Sequence, residues 1–220
     1  MRSSRSAPDP LAPGPLGFAH RGLHGPGVPE NSLAAARAAL AIGAGIECDV
    51  RQARDGVPMV FHDEALDRLT GRQGSLRHLP SEAAAELPLL GTGETVPTFS
   101  ELLRLVDGQV PLLVEIKREP GLNSLCRSVA ELLCGYGGRV AVMSFDPRVP
   151  RWFAVHAPHV WRGLVVDSRL KPLWRTSFLF LSRPQFMAVD CKSVDQSWVA
   201  IQRGRMPVYS WTVRSPSDRA

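Results

Sequence analysis

The sequence predicts an α/β chain folded as a TIM-type (β/α)8 barrel, and two observations carry that prediction. Short, wholly apolar runs of β-type composition alternate with helix-like stretches, the pattern of right-handed βαβ units around a parallel sheet buried on both faces. A doubly wound open sheet shares that alternation, so the polar residues decide. Charged side chains collect at the carboxyl ends of several successive strands, where (β/α)8 barrels build their active sites.

The elements follow in order. Leu16 to Ala19 is a brief strand ending at His20-Arg21-Gly22. Ser32 to Ile42, rich in Ala and Leu, is a helix with Asn31 or Ser32 able to cap it and Gly43 and Gly45 beyond its end. Ile46 to Val50 and Val57 to Phe61 are strands, and Asp55-Gly56 between them is a hairpin signal. After a Gly- and Pro-rich region, Thr98 to Asp107 reads as helix, Pro111 to Lys117 as strand and Leu122 to Cys134 as helix. The strand Arg139 to Ser144, the helix Arg148 to His156 and the strand Arg162 to Val166 come next. Phe186 to Asp190 and Pro207 to Val213 are the last strands, with helical Ser197 to Arg203 between them. The apolar stretch Leu173 to Leu181 is too short to span a bilayer and reads as a buried barrel helix. Counting Val57 to Phe61 as a hairpin arm leaves seven barrel strands, so the expected barrel lacks its last helix and strand. Residues 1–15 hold no apolar run that a secretory signal would need and are expected to form a disordered leader. Residues 16–220 then form the barrel domain, with a small insertion at about 66–96.

Composition narrows the function. The 220 residues are 44% hydrophobic and 21% charged, which suits one soluble domain. The net charge of +5 suits an anionic substrate and allows weak contact with an acidic membrane surface. The charge is scattered, as on an ordinary solvated surface, and no basic block is interleaved with aromatics, so no nucleic-acid partner is expected. Cys48, Cys126, Cys134 and Cys191 form no C-x-x-C pair. They read as small buried hydrophobes in a reducing compartment, and a cytoplasmic location is expected.

The chemistry lies in the first 120 residues. Glu47 and Asp49, two apart on one strand, point to the same side, and Glu115 and Lys117 repeat that geometry on the next barrel strand. Buried carboxylates on one face need a cation, and three of them make a hard, oxygen-rich site for Mg²⁺ or Ca²⁺. His20 ends the first strand and His62 ends the return arm of the hairpin. Two imidazoles flanking a phosphate allow one to activate the nucleophile while the other protonates the departing alcohol. Arg21 and Lys117 are the cations suited to the non-bridging oxygens. Charges at strand ends often form only surface ion pairs, and a lone His is usually structural; here they converge.

At these residues the sequence resembles the glycerophosphodiester phosphodiesterase family. The matching pieces are His20-Arg21-Gly22, Pro29-Glu30-Asn31-Ser32, Glu47-x-Asp49 and Asp55-Gly56-x-Pro58-x-Val60-x-His62-Asp63. They continue through Leu66-x-Arg68-x-Thr70, Pro97-Thr98, Glu115-Ile116-Lys117, Ser144-Phe145 and Trp211-Thr212-Val213. The resemblance implies a TIM-barrel enzyme that uses a divalent cation to cleave glycerophosphodiesters from lipid turnover into glycerol 3-phosphate and an alcohol. It implies Glu47, Asp49 and Glu115 as metal ligands, His20 and His62 as the acid/base pair, and Arg21 and Lys117 as phosphate ligands. Glu30 and Trp211 would border the mouth, and the insertion would cap the site and select the alcohol. Two alternatives stay open: a lysophospholipase D-type activity on lysophospholipids, with Leu173 to Leu181 and Trp174 meeting a lipid surface, and an inactive truncated barrel.

Overall fold

The computed structural model describes residues 9–213. It divides into two compact units, the first Leu11–Ala141 and the second residues 142–213 together with Asp9 and Pro10.

The first unit runs β1 (Phe18–Ala19), α1 (Leu33–Ala41), β2 (Gly45–Gln52), β3 (Pro58–Val60), α2 (Asp67–Thr70), α3 (Ser81–Ala85), α4 (Phe99–Val106), β4 (Leu112–Ile116) and α5 (Leu122–Cys134). β2 is central, pairing in parallel with β1 on one side and β4 on the other. β3 returns antiparallel on the end of β2, with Val50 opposite Val60 and Gln52 opposite Pro58. It is the hairpin arm that Asp55-Gly56 predicts, and not a barrel strand. β2 is buried without interruption from Gly45 to Val50, as a parallel strand covered on both faces must be.

Local chemistry explains the helix starts. Ser32, not Asn31, caps α1: its Oγ accepts from the Ala35 N–H at 3.0 Å and donates to the Pro29 carbonyl at 2.7 Å. Thr98 and Glu101 form a reciprocal capping box on α4. That helix buries Phe99, Leu102, Leu103 and Val106, the 3–4 spacing of one face. The insertion folds on a core of its own, where Leu66, Leu69, Leu76, Leu87, Leu89 and Val96 close over Met59 and Phe61.

Part of the expected leader lies among the described residues. Residues 1–8 of the expected leader lie outside the described residues. Leu11 is buried, and its carbonyl and that of Ala12 accept from Arg139 Nη1 at 2.8 and 3.1 Å. An apolar anchor and one guanidinium nitrogen that bonds both carbonyls thus hold this stretch, a pairing too distant in sequence to be read from composition.

β5 (Val140–Ser144) carries the chain into the second unit, which continues with α6 (Arg148–His156), β6 (Trp161–Val166), α7 (Pro172–Ser182), β7 (Phe186–Asp190), α8 (Ser197–Arg203) and β8 (Val208–Trp211). β6, β7 and β8 pair in parallel in that order. Gly163 leaves no room for a Cβ against the Phe186 ring, which Trp161 and Tyr209 also flank. Leu164, Val166, Met187, Val189 and Val199 form the core, with Phe178 and Leu179 of α7 packed on it. The described residues thus hold seven strands at the expected positions plus the hairpin arm.

Two expectations are corrected. α7 is a helix but not a buried one: Ser182 is its one buried residue, and Leu173, Trp174, Phe180 and Leu181 are exposed. Its core-facing side needs only Phe178 and Leu179, and the remaining apolar residues point outward. Of the cysteines, Cys48 and Cys126 are buried, but Cys134 is exposed at the end of α5 and Cys191 is half-buried.

Candidate active site

Register builds the centre. Asp49 on β2 lies directly beside Glu115 on β4, and Glu47 lies beside Leu113. Strand alternation then turns Glu47, Asp49 and Glu115 to one face while Cys48 packs on the other. The three carboxylates are only 5%, 1% and 8% exposed, and one oxygen from each lies within 4.8 Å of the others. Lys117, two residues past Glu115, joins them: its Nζ lies 2.7 Å from Asp49 Oδ1 and 2.5 Å from Glu115 Oε1.

Asn31 fixes Asp49 from the other side. Its Nδ2 donates to Asp49 Oδ2 at 2.8 Å, and its Oδ1 accepts from the Asp49 N–H at 3.1 Å. The left-handed backbone at Asn31, φ +57°, makes this reach possible, and Asn tolerates that conformation better than most residues. Among the described residues no side-chain cation pairs with Glu47; its Oε2 accepts from the backbone N–H of Arg21 at 2.9 Å. That approach depends on Gly22, where φ is +76° and a Cβ would lie 2.7 Å from Ala35 Cβ.

A charged chain then runs round the mouth. Arg21 Nη1 donates to Glu30 Oε1 at 2.8 Å, and Arg21 Nε lies 3.4 Å from Asp49 Oδ2. Glu30 is gripped on its other side by Arg68, at 2.6 and 3.1 Å. Arg68 Nε reaches Asp63 Oδ2 at 2.5 Å, and Asp63 Oδ1 meets His62 Nδ1 at 2.7 Å. His62 follows the hairpin arm, returned to the end of β2 by the Phe61 N–H bond to the Asp49 carbonyl at 3.0 Å. Asp49, Arg21, Glu30, Arg68, Asp63 and His62 are therefore one continuous network.

The electrostatics follow from crowding. Burial, then Asp49 and Glu115, pushes Glu47 well above the ordinary carboxylate range. Burial also raises Glu115, and Lys117 only partly offsets it. Burial works the same way on Asp49, but Lys117, His62 and Asn31 together hold it below its usual value. His20 is driven down to about 4, chiefly by burial and then by Arg21. Burial lowers His62 as well, while Asp49 and Asp63 pull it back up.

A cation fits this donor set. Lys117 and Arg21 offset two carboxylates, and Glu47 is left buried with a single backbone donor. Hard oxygen ligands of this charge are the preference of Mg²⁺, Mn²⁺ or Ca²⁺. This buried acidic triad can therefore hold a metal ion.

The first unit thus brings together Glu30, Glu47, Asp49, His62, Glu115, Lys117 and Arg21, with His20 close enough for Arg21, Asp49 and His62 to act on its charge. Trp211 belongs to the second unit, at the end of β8 and edge-on to Phe145 at 5.6 Å. Asn31, Asp63 and Arg68 were not singled out by chemistry from the sequence. Asp63 follows His62 directly, and a carboxylate beside a candidate imidazole was the signal available.

The glycerophosphoryl diester phosphodiesterase family model matches residues 20–220. A glycerophosphodiester phosphodiesterase of Caldanaerobacter subterraneus is 29% identical over 92% of this chain and 87% of its own. A probable glycerophosphodiester phosphodiesterase 1 of Mycobacterium tuberculosis is 30% identical over 96% of this chain and 86% of its own. Among solved structures, a phosphodiesterase of Oleispira antarctica in complex with sn-glycerol-3-phosphate aligns with a TM-score of 0.83 at 24% identity, covering 93% of this chain and 87% of that one. A glycerophosphodiester phosphodiesterase of Thermotoga maritima aligns at 0.76 with 23% identity, over 92% and 88%. These likenesses give the fold, that of the TIM-type barrel, and the match over nearly the whole chain gives the family: the chain belongs to the glycerophosphoryl diester phosphodiesterase family.

Proposed function

We propose that the protein hydrolyses glycerophosphodiesters to glycerol 3-phosphate and an alcohol, with Glu47, Asp49 and Glu115 holding a divalent cation, Mg²⁺ or Ca²⁺. The observation that carries this reading is the buried triad with positive side chains and imidazoles at its edge. When bound, the cation supplies charge against which a phosphoryl oxygen is polarised. Arg21 and Lys117 bind the anionic diester beside it, and Asn31 keeps Asp49 from turning away. His20 and His62 move the protons: one imidazole takes a proton from the attacking water as its oxygen bonds to phosphorus. The other gives a proton to the alcohol oxygen as its P–O bond breaks. Asp63 orients His62 through Nδ1, and Arg68 and Glu30 hold Asp63 and Arg21 in place.

Selection of the alcohol belongs to the insertion. A small hollow of about 30 Å³ beside it is lined by Arg51, Glu64, Ser75, Arg77 and Arg118 among others, and Arg51 Nε donates to the His62 carbonyl at 2.8 Å. The test is an assay against a panel of glycerophosphodiesters and a lysophospholipid, each with and without chelator. Turnover of glycerophosphodiesters, lost with chelator, supports the reading. Turnover of the lysophospholipid alone, or of nothing in the panel with Mg²⁺ or Ca²⁺ supplied, refutes it.

A further inference from the structure

α7 presents an outward face that its own fold does not use. At 100° per residue, Phe180, Leu173, Ser177, Leu181 and Trp174 fall on one contiguous stripe, with Phe178 flanking it beside Trp174 and Ser182 and Leu179 on the far side. The four apolar members are 87%, 76%, 46% and 56% exposed, in that order. Single exposed apolar residues are ordinary, but four on one helical stripe form a patch of the kind that marks an interaction surface. Lys171 stands at the amino end of the helix and Arg183 at its carboxyl end, both exposed. Between residues 167 and 205 there are seven Lys or Arg against three Asp, a net charge of +4, with Arg169 paired to Asp167.

We propose that α7 docks the protein on an anionic lipid surface, lying in the interface with Trp174, Leu173, Phe180 and Leu181 among the acyl chains. Three observations select that occupant. The basic surroundings complement anionic head groups, and a short helix with an apolar face and Lys/Arg flanks has the form of an interfacial anchor. A second copy of the chain would set this excess positive charge against itself. The stripe is also only about 12 Å long and 10 Å wide, far below the roughly 800 Å² per partner that a stable protein interface buries. At 11 residues the helix lies on a bilayer and does not cross it, and among the described residues no helix is long and apolar enough to cross.

The test is co-flotation of the whole protein with vesicles of phosphatidylcholine alone and of phosphatidylcholine with phosphatidylglycerol in equal parts. The protein is expected to float with the anionic vesicles and to be released by salt. The Leu173→Ser/Phe180→Ser variant is expected to lose partition by roughly 10- to 100-fold, with unchanged circular dichroism, because neither side chain packs in the core. Arg203→Glu/Arg205→Glu is expected to weaken binding to anionic vesicles while leaving the apolar stripe intact. No flotation with anionic vesicles, equal flotation with neutral ones, or full binding by the Ser variant overturns the proposal. So does a dimer that the Ser variant dissolves, or retention of RNA or DNA in preference to vesicles. None of these readouts requires turnover, so the result stands apart from the proposed activity.

Discussion

Replacing Asp63 by Asn isolates what the charged network round the mouth contributes. Asp63 meets His62 at 2.7 Å and Arg68 at 2.5 Å. The substitution keeps the shape and removes the charge. Arg68 is about half exposed and keeps both bonds to Glu30, so the cost in folding is set by solvent-screened pairs. It should be about 1 kcal/mol, a fall of a few degrees in Tm for a chain of this size. The catalytic cost is larger, because the hydrogen bond that orients the imidazole ends on a charged group. Losing it is worth about 1.5–3 kcal/mol, or roughly 10- to 150-fold in kcat/KM. The sign of the pH effect is also fixed. Asp63 raises the pKa of His62 by favouring the imidazolium, so Asp63→Asn lowers it and shifts the limb of the rate profile governed by His62 to lower pH. The assay is kcat/KM against pH for both proteins, with thermal unfolding as control. Unchanged kcat/KM and superposable profiles would refute the argument that this network positions His62.

Other outcomes follow from the same structure. His20→Ala and His62→Ala should each lower kcat by roughly 10²–10⁴-fold, while His78→Ala, an exposed residue at the end of the turn Leu76–His78, should be nearly silent; a defect at His78 equal to that at His62 would move the site. Gly22→Ala sets a Cβ 2.7 Å from Ala35 Cβ at φ +76°, and should cost about 2 kcal/mol or more in a denaturant titration; a wild-type midpoint would show that the loop relaxes freely. His20 should titrate near 4 by NMR. Between its ordinary 6.5 and that value the unfolded chain takes up a proton that the folded chain does not, so this residue's contribution to stability falls as pH drops through the window. A midpoint at or above 6.5 would mean that burial does not govern it.

Much of the framework was legible because the periodicities that mark it are local. Leu122–Cys134, Arg148–His156, Phe186–Asp190 and Ser197–Arg203 have the bounds read from the sequence. The triad was legible for the same reason, since i and i+2 on a strand fix a shared face. What escaped depends on contacts between distant residues. Asn31 reads as a helix cap until Asp49, eighteen positions on, is seen to occupy its amide. Arg68 bridges Asp63 and Glu30, the second thirty-eight positions away, through a short helix in the insertion that carries too little periodicity to place it. α7 failed differently: its composition is apolar on both sides, so hydrophobicity alone assigned to the core a face that points away from it.

Glu47, Asp49 and Glu115 are proposed to form a divalent-cation site on which turnover depends. The most direct measurement is activity on a glycerophosphodiester after exhaustive chelation, followed by titration of Mg²⁺ or Ca²⁺ into wild-type protein and Asp49→Asn. No turnover is expected without the ion, with saturable recovery in the wild type and a recovery curve displaced to higher ion concentration in Asp49→Asn. Full turnover by the chelated protein, or identical curves for the two proteins, would contradict it.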